Sequence, residues 1–328
     1  MARGVRAAEL GLAPGPFPSG PRGALTDVPG VRVGHTTLRR PPRVNSGCTA
    51  IDAGALPHRP LPAGVFAGNG YGKLIGSTQL AELGQLESPI VLTATLSAFR
   101  AADALVDWML ERPDCAAVRS FNPVVGECND GQLSDIRSRP VGAAQVRAAL
   151  DAASDGPVAE GCVGAGTGTV ALGFKAGIGT ASRVAGGHTV GALVQANFDG
   201  TLRIGGRTVT PVEQARPAEH GSCMVVLATD APLDGRQLTR LARRAVYGLA
   251  RTGAAFSNGS GDYGLAFSVV PVGAGVAPPS EYALSPLFEA VLDAVEESVL
   301  NALLAAEDTH GPDGAFAPAL PPDAVARP

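Results

Sequence analysis

Gly221-Ser222, within HGSCMVVLATD, sets a small nucleophile directly after a glycine, at the entrance to the apolar run Met224, Val225, Val226, Leu227. A hydroxyl there is expected at the start of a buried strand. Breaking the bond before Ser222 would give that residue a free α-amine beside its own Oγ, a nucleophile and a base in one residue. A rival base is His220, whose side chain points to the same side as Ser222 in an extended chain. Cleavage would leave it on a new chain end, and its alternative is an exposed loop histidine. Ser257-Asn258-Gly259-Ser260-Gly261-Asp262 reads either as a turn or as a source of a hydroxyl (Ser260) and a carboxylate (Asp262) that orient a nearby amine. Asn197 ends an apolar run, where its amide either caps the strand or faces a developing oxyanion. Glu127 is a lone carboxylate after an apolar pair, and by itself reads as a solvated loop residue.

Other motifs fail on chemical grounds. Val163-Gly164-Ala165-Gly166-Thr167-Gly168 invites a dinucleotide-loop reading, but the chain continues as a strand where that loop needs a helix, so tight turns and close backbone approach are expected. Gly68-Asn69-Gly70-Tyr71-Gly72-Lys73 has Ala67 in place of the first glycine of a phosphate loop and Leu74 in place of its magnesium-binding hydroxyl. His35, His58, His188, His220 and His310 show no paired spacing, and Cys48, Cys115, Cys128, Cys162 and Cys223 form no C-x-x-C pair. No metal and no cofactor are expected. The 26 basic and 30 acidic residues give a net charge of −4, with no Lys/Arg run longer than two, so no nucleic-acid partner is implied. No stretch approaches the ~18 apolar residues of a membrane span, and the first residues lack the apolar segment of a secretory signal. Scattered thiols then point to a cytoplasmic protein.

The elements that must position these residues follow from periodicity and breakers. Residues 1–23, rich in Gly, Pro and Arg, read as a loose arm, and 24–328 as one domain. Strands are expected at Val31 to His35, Thr49 to Ile51, Ala63 to Ala67, Pro89 to Thr93, Val170 to Phe174, Thr189 to Asn197, Met224 to Leu227 and Tyr263 to Val270. Helices are expected at Ala98 to Leu110, about Val141 to Ala153, from the Asp234 cap to about Ala250, and Leu284 to Ala306. The segment from Asp199 to His220 reads as an exposed connection, and the Pro-rich tail past His310 as wandering. Strands come in blocks rather than in strict alternation with helices, which favours an α+β arrangement of two stacked sheets with helices outside.

Taken together, TDVPGVRVGH (Thr26 to His35), NSGCTAI (Asn45 to Ile51), NPVVGECNDGQLSDI (Asn122 to Ile136), GCVGAGTG (Gly161 to Gly168), GALVQANFDG (Gly191 to Gly200), GSCMVVLATDAPL (Gly221 to Leu233), SNGSGDY (Ser257 to Tyr263) and EESVLNALLAAE (Glu296 to Glu307) resemble the DmpA-type, β-peptidyl aminopeptidase group over about residues 24–320. The resemblance implies a four-layer αββα sandwich, similar to N-terminal nucleophile hydrolases but with different strand connections. It also implies self-cleavage at Gly221-Ser222 into an α chain of residues 1–221 and a β chain of 222–328, and a homotetramer of αβ units. Ser222 becomes the nucleophile, Asn197 the oxyanion donor, Ser260 and Asp262 the polar pair beside the new amine, and Glu127 a carboxylate on the amine-binding side of the substrate pocket. Two departures touch the substrate side: Asn129 replaces an aromatic found in some members, and Thr93-Ala94-Thr95-Leu96-Ser97 replaces a TNTHS-like stretch.

The implied activity is removal of the N-terminal residue from short peptides, amides or β-peptides. In the expected self-cleavage, Ser222 attacks the Gly221 carbonyl, helped by backbone strain that glycine tolerates. The alternatives are a self-cleaving acyltransferase of the ornithine-acetyltransferase kind, for which threonine rather than Ser222 is the expected nucleophile, and an uncleaved, non-enzymatic binding homologue.

Overall fold

The computed structural model describes residues 4–211, 221–271 and 273–325. In chain order the strands and helices are β1 (Arg32–Arg40), β2 (Val44–Asp52), β3 (Leu61–Gly70), α1 (Ser77–Leu83), β4 (Gln85–Leu86), β5 (Ile90–Ala94), α2 (Ala98–Leu110), β6 (Val124–Cys128) and α3 (Ala143–Asp151). They continue as β7 (Val170–Ala171), β8 (Phe174–Lys175), β9 (Ile178–Ala185), β10 (His188–Asn197), β11 (Arg203–Ile204) and β12 (Arg207–Thr208). The remainder is β13 (Ser222–Thr229), α4 (Gly235–Arg251), β14 (Gly261–Ser268), α5 (Ser285–Leu304), β15 (Thr309–His310) and β16 (Phe316–Ala317).

Two sheets carry the fold. One has the order β1-β2-β5-β6 and the other β4-β3-β14-β13-β10-β9. Every neighbouring pair is antiparallel except β5 with β6 and β13 with β14. Because side chains alternate along a strand, β13 sends Met224, Val226 and Ala228 into the apolar layer between the sheets, with Leu92, Val124, Leu193 and Leu265. Its other face, Cys223, Val225 and Leu227, meets α4 and α5 through Leu238, Leu241, Ala245, Val295 and Val299. On the far side of the smaller sheet, α2 and α3 bury Ala101, Leu105, Met109, Val146 and Ala149 against Ala50, Val91 and Val125. The layering is the expected αββα sandwich.

Local signals account for the helices that cover the larger sheet. Asp234 accepts a hydrogen bond from the Gln237 N–H at 2.7 Å, a side-chain cap on the first turn of α4. Leu238, Leu241, Ala245, Val246 and Leu249 then bury the stripe predicted from their spacing.

Three expectations are corrected. Residues 4–23 do not form a loose arm: the Arg6 guanidinium bonds the carbonyls of Gly23 and Thr180, each at 2.7 Å, and the Ala7 N–H donates to Asn301 Oδ1 at 2.9 Å. Farther along, the Val184 N–H donates to the Pro18 carbonyl and Arg183 reaches the Pro14 carbonyl, so the arm covers β9, the outermost strand of the larger sheet. An exposed edge strand leaves unpaired backbone groups, and this segment satisfies part of that edge. The tail past His310 is likewise packed, through the β15/β16 hairpin and buried Leu320. The strand expected at Val170 to Phe174 is instead a tight hairpin, because Leu172 and Gly173 turn through left-handed conformations. Of the connection from Asp199 to His220, residues 199–211 hold the β11/β12 hairpin, while 212–220, including His220, lie outside the described residues.

Candidate active site

One edge of the sandwich gathers the candidate residues, and strand direction explains why. β13 begins at Ser222 and its parallel neighbour β14 begins at Gly261, whereas the antiparallel strands β10 and β3 end there at Asn197 and Gly70. In the facing sheet the parallel pair β5 and β6 ends at Ala94 and Cys128. The register sets Asn197 opposite Ser222 on one side and Gly261 opposite Ser222 on the other, so Ser260 and Asp262 flank the start of β13.

Ser222 is 5% exposed. Its carbonyl accepts a hydrogen bond from the Cys128 thiol at 3.1 Å, which ties the start of β13 to the facing sheet. Glycine at 221 also answers to space: a Cβ there would lie 3.0 Å from Phe198 Cα and 3.1 Å from the Asn197 carbonyl oxygen. The Gly261 N–H donates to the Gly221 carbonyl at 3.3 Å.

Asn197 is oriented by its oxygen. Oδ1 accepts the Val170 N–H at 3.0 Å, while Nδ2 is buried and has no hydrogen-bond partner among the described residues. An unpartnered buried donor is costly, and this one belongs to the side chain opposite Ser222 in the ladder. On the other flank, Ser260 donates its hydroxyl to Asp262 Oδ1 at 2.8 Å, and Asp262 Oδ2 is buried without a partner among the described residues. Burial pushes the Asp262 carboxyl up to about 6; the Ser260 hydroxyl opposes that shift and the Asp199 carboxylate adds to it.

Glu127 is not a loop residue. It sits in β6, 2% exposed, with Oε1 accepting the Lys73 N–H at 2.8 Å and Oε2 accepting the Thr95 hydroxyl. The segment that links it to the nucleophile side is the loop after β3, where Tyr263 donates its hydroxyl to the Gly72 carbonyl at 2.9 Å. That loop passes so close to β14 that a Cβ on Gly261 would stand 2.3 Å from Gly72 N and Cα. Asn129, one residue beyond β6, spends its Oδ1 on the Gly131 N–H at 2.9 Å and bonds none of the other candidates among the described residues.

The fold therefore brings Ser222, Asn197, Ser260 and Asp262 together, with Glu127 across the loop from Gly261, and leaves Asn129 turned into its own bend. Sequence reasoning missed Cys128, Thr95, Tyr263 and the N–H groups of Lys73, Val170 and Gly261. Cys128 and Tyr263 stand in quoted motifs, and Thr95 in the stretch tied to the substrate side, but none was singled out by its own chemistry. Backbone donors leave no trace in residue types. Among the described residues there is no group of three or more His, Cys, Asp or Glu that could hold a metal, and no helix is long and apolar enough to cross a membrane.

The sandwich of this chain is that of the serine aminopeptidases, a variant among the Ntn hydrolase fold, and here a serine opens one of its central strands. Residues 23–317 match the model of Peptidase family S58, and the chain belongs to that family. It is 37% identical to the β-peptidyl aminopeptidase BapA of Sphingosinicella xenopeptidilytica, over 99% of this chain and 90% of that protein. Among solved structures, it resembles a Burkholderia β-aminopeptidase with a TM-score of 0.90 and 42% identity, over 98% of this chain and 97% of that one. It also resembles the L-aminopeptidase D-Ala-esterase/amidase of Ochrobactrum anthropi, with a TM-score of 0.86 and 40% identity over 97% and 96% of the two chains. The chain is an enzyme, a serine aminopeptidase.

Proposed function

We propose that this aminopeptidase activates itself at Gly221-Ser222 and then removes the N-terminal residue of short peptides, amino-acid amides or β-peptides. The observation that carries the reading is the pairing of Ser222 with an amide whose oxygen is fixed and whose nitrogen is free, the arrangement an oxyanion requires.

In self-cleavage, Ser222 Oγ attacks the Gly221 carbonyl, whose oxygen the Gly261 N–H already contacts. The Gly221 C–N bond breaks, an ester to Oγ forms, and the Ser222 amine is released. Water then hydrolyses the ester to the Gly221 carboxylate and restores the hydroxyl. The freed amine, with an ordinary pKa of about 7.7–8.0, takes the hydroxyl proton as Oγ attacks a substrate amide, and passes it to the leaving amine. Asn197 Nδ2 stabilises the tetrahedral oxyanion, and water releases the acyl group from Ser222. Asp262 and Ser260 hold the amine of Ser222. Glu127, its oxygens held by Lys73 and Thr95, faces the substrate's N-terminal ammonium, which limits cutting to the first residue. Asn129 shapes the substrate side from beyond the end of β6.

The similarity to the BapA and L-aminopeptidase relatives supports this substrate range. The proposed assembly is four αβ units. Five free, buried cysteines fit a reducing, cytoplasmic setting. A denaturing gel of purified protein is expected to show two pieces, the smaller beginning at Ser222 by N-terminal sequencing, and the native mass to equal four αβ units. Ser222→Ala leaves one uncut chain without turnover. An intact wild-type chain with full activity on amino-acid p-nitroanilides would overturn the mechanism.

A further inference from the structure

The peptide unit between Thr169 and Val170 has a buried ammonium on one side and the candidate oxyanion amide on the other. Lys175, fully buried, donates through Nζ to the carbonyls of Gly166 at 3.1 Å, Thr169 at 2.9 Å and Ala176. The N–H of that same Thr169-Val170 unit donates to Asn197 Oδ1 at 3.0 Å. A trans peptide is planar, with its C=O and N–H on opposite edges, so fixing the carbonyl fixes the direction of the N–H. Three carbonyl acceptors also call for the three donors of an ammonium. A cation on the carbonyl polarises the N–H, and the effect passes along a hydrogen-bonded chain to the next group.

From this juxtaposition we propose that Lys175 is a positioning residue for the oxyanion site, acting through the Thr169-Val170 peptide to aim Asn197 Nδ2 and strengthen it as a donor. The inference rests on Asn197 serving the oxyanion. The hairpin that presents Lys175 is itself anchored beside Asn197, since the Leu172 N–H donates to the carbonyl of Phe198, the residue after β10, at 2.9 Å. Movement of Lys175 therefore reaches Asn197 through two connections.

The test is a cycle of Lys175→Met, Asn197→Ala and the double variant, each assayed per folded, self-cleaved site on the α- or β-amino acid p-nitroanilide that the wild type turns over best. Asn197→Ala is expected to lose about 10²- to 10³-fold in kcat, the usual effect of losing one oxyanion donor. Lys175→Met is expected to lose 10- to 100-fold in kcat with KM unchanged, and to cost less than 3-fold further in the Asn197→Ala background. Wild-type kcat in Lys175→Met, or losses that multiply in full, would overturn the role. Should Lys175→Met fail to accumulate as folded protein, Lys175→Gln, which keeps two donors, enters the same cycle. A smaller kcat loss with the same collapse in the double variant supports the proposal, and an unchanged kcat or full multiplication overturns it. Absence of turnover in the wild type would instead overturn the aminopeptidase reading itself.

Discussion

At the scale of single residues, Asp262 makes the site sensitive to pH in a direction set by burial. Its carboxyl rises from an ordinary 3.8 to about 6 because the charged form is poorly solvated, so between these values the folded chain holds a proton that the unfolded chain has released. Its contribution to stability is therefore present at low pH and lost as pH rises through about 6. The two-unit shift corresponds to at most about 3 kcal/mol. The uncut Ser222→Ala chain isolates this effect, since the ammonium created by cleavage would draw the carboxyl down again. Its melting temperature is expected to fall from pH 5 to pH 7.5, and the fall to shrink when Asp262→Asn is added. An identical pH dependence in both chains would remove Asp262 as the cause. Burial likewise keeps the Cys128 thiol well above its ordinary range, so it meets the Ser222 carbonyl as a neutral donor.

At the scale of elements, the charge pair between β9 and α5 holds more than those two. Arg183 and Glu297 meet at 2.6 Å, 1% and 2% exposed, and the same guanidinium reaches the Pro14 carbonyl at 3.0 Å and the Ser182 carbonyl at 2.8 Å. Removing one member of a buried pair leaves the other charge unsolvated, at a cost of about 3–5 kcal/mol. Glu297→Gln is expected to lower the unfolding free energy from urea titration by that order, and the midpoint with it, with kcat of the folded enzyme unchanged because the pair is not in the site. A midpoint equal to wild type would mean that solvent reaches Arg183. Of these elements, α4 was legible in full, since its Asp234 cap and apolar stripe are local properties. Glu127 was not, because whether a carboxylate after an apolar pair is solvated or buried depends on Lys73 and Thr95, 54 and 32 residues away in sequence.

At the scale of the whole molecule, the N-terminal arm belongs to the body. Deletion of residues 1–23 would remove the Arg6 bonds to Gly23 and Thr180, the Ala7 bond to Asn301 and the cover over β9. A truncated protein is expected to melt at least several degrees lower and to aggregate through the uncovered strand, as read by calorimetry and light scattering. Equal melting and solubility would restore the loose-arm reading. Composition misleads here because Gly and Pro report poor local propensity, while the bonds that order this arm are made to β9 and α5.

The sequence by itself determined the elements whose signals are local: the apolar runs of β10 and β13, the capped and striped α4, and the serine after a glycine at the head of an apolar run. Its ordered motifs also carried the family, and with it the sandwich. Only the tertiary structure decided which end of each strand meets which. Strand direction sets Asn197 and Gly261 on either side of Ser222, the Val170 N–H chooses which end of the Asn197 amide is free, and Lys73 and Thr95 turn Glu127 from a loop residue into a fixed carboxylate. These are contacts between distant segments and often between backbone groups, which every residue carries alike, so residue types alone leave them unwritten.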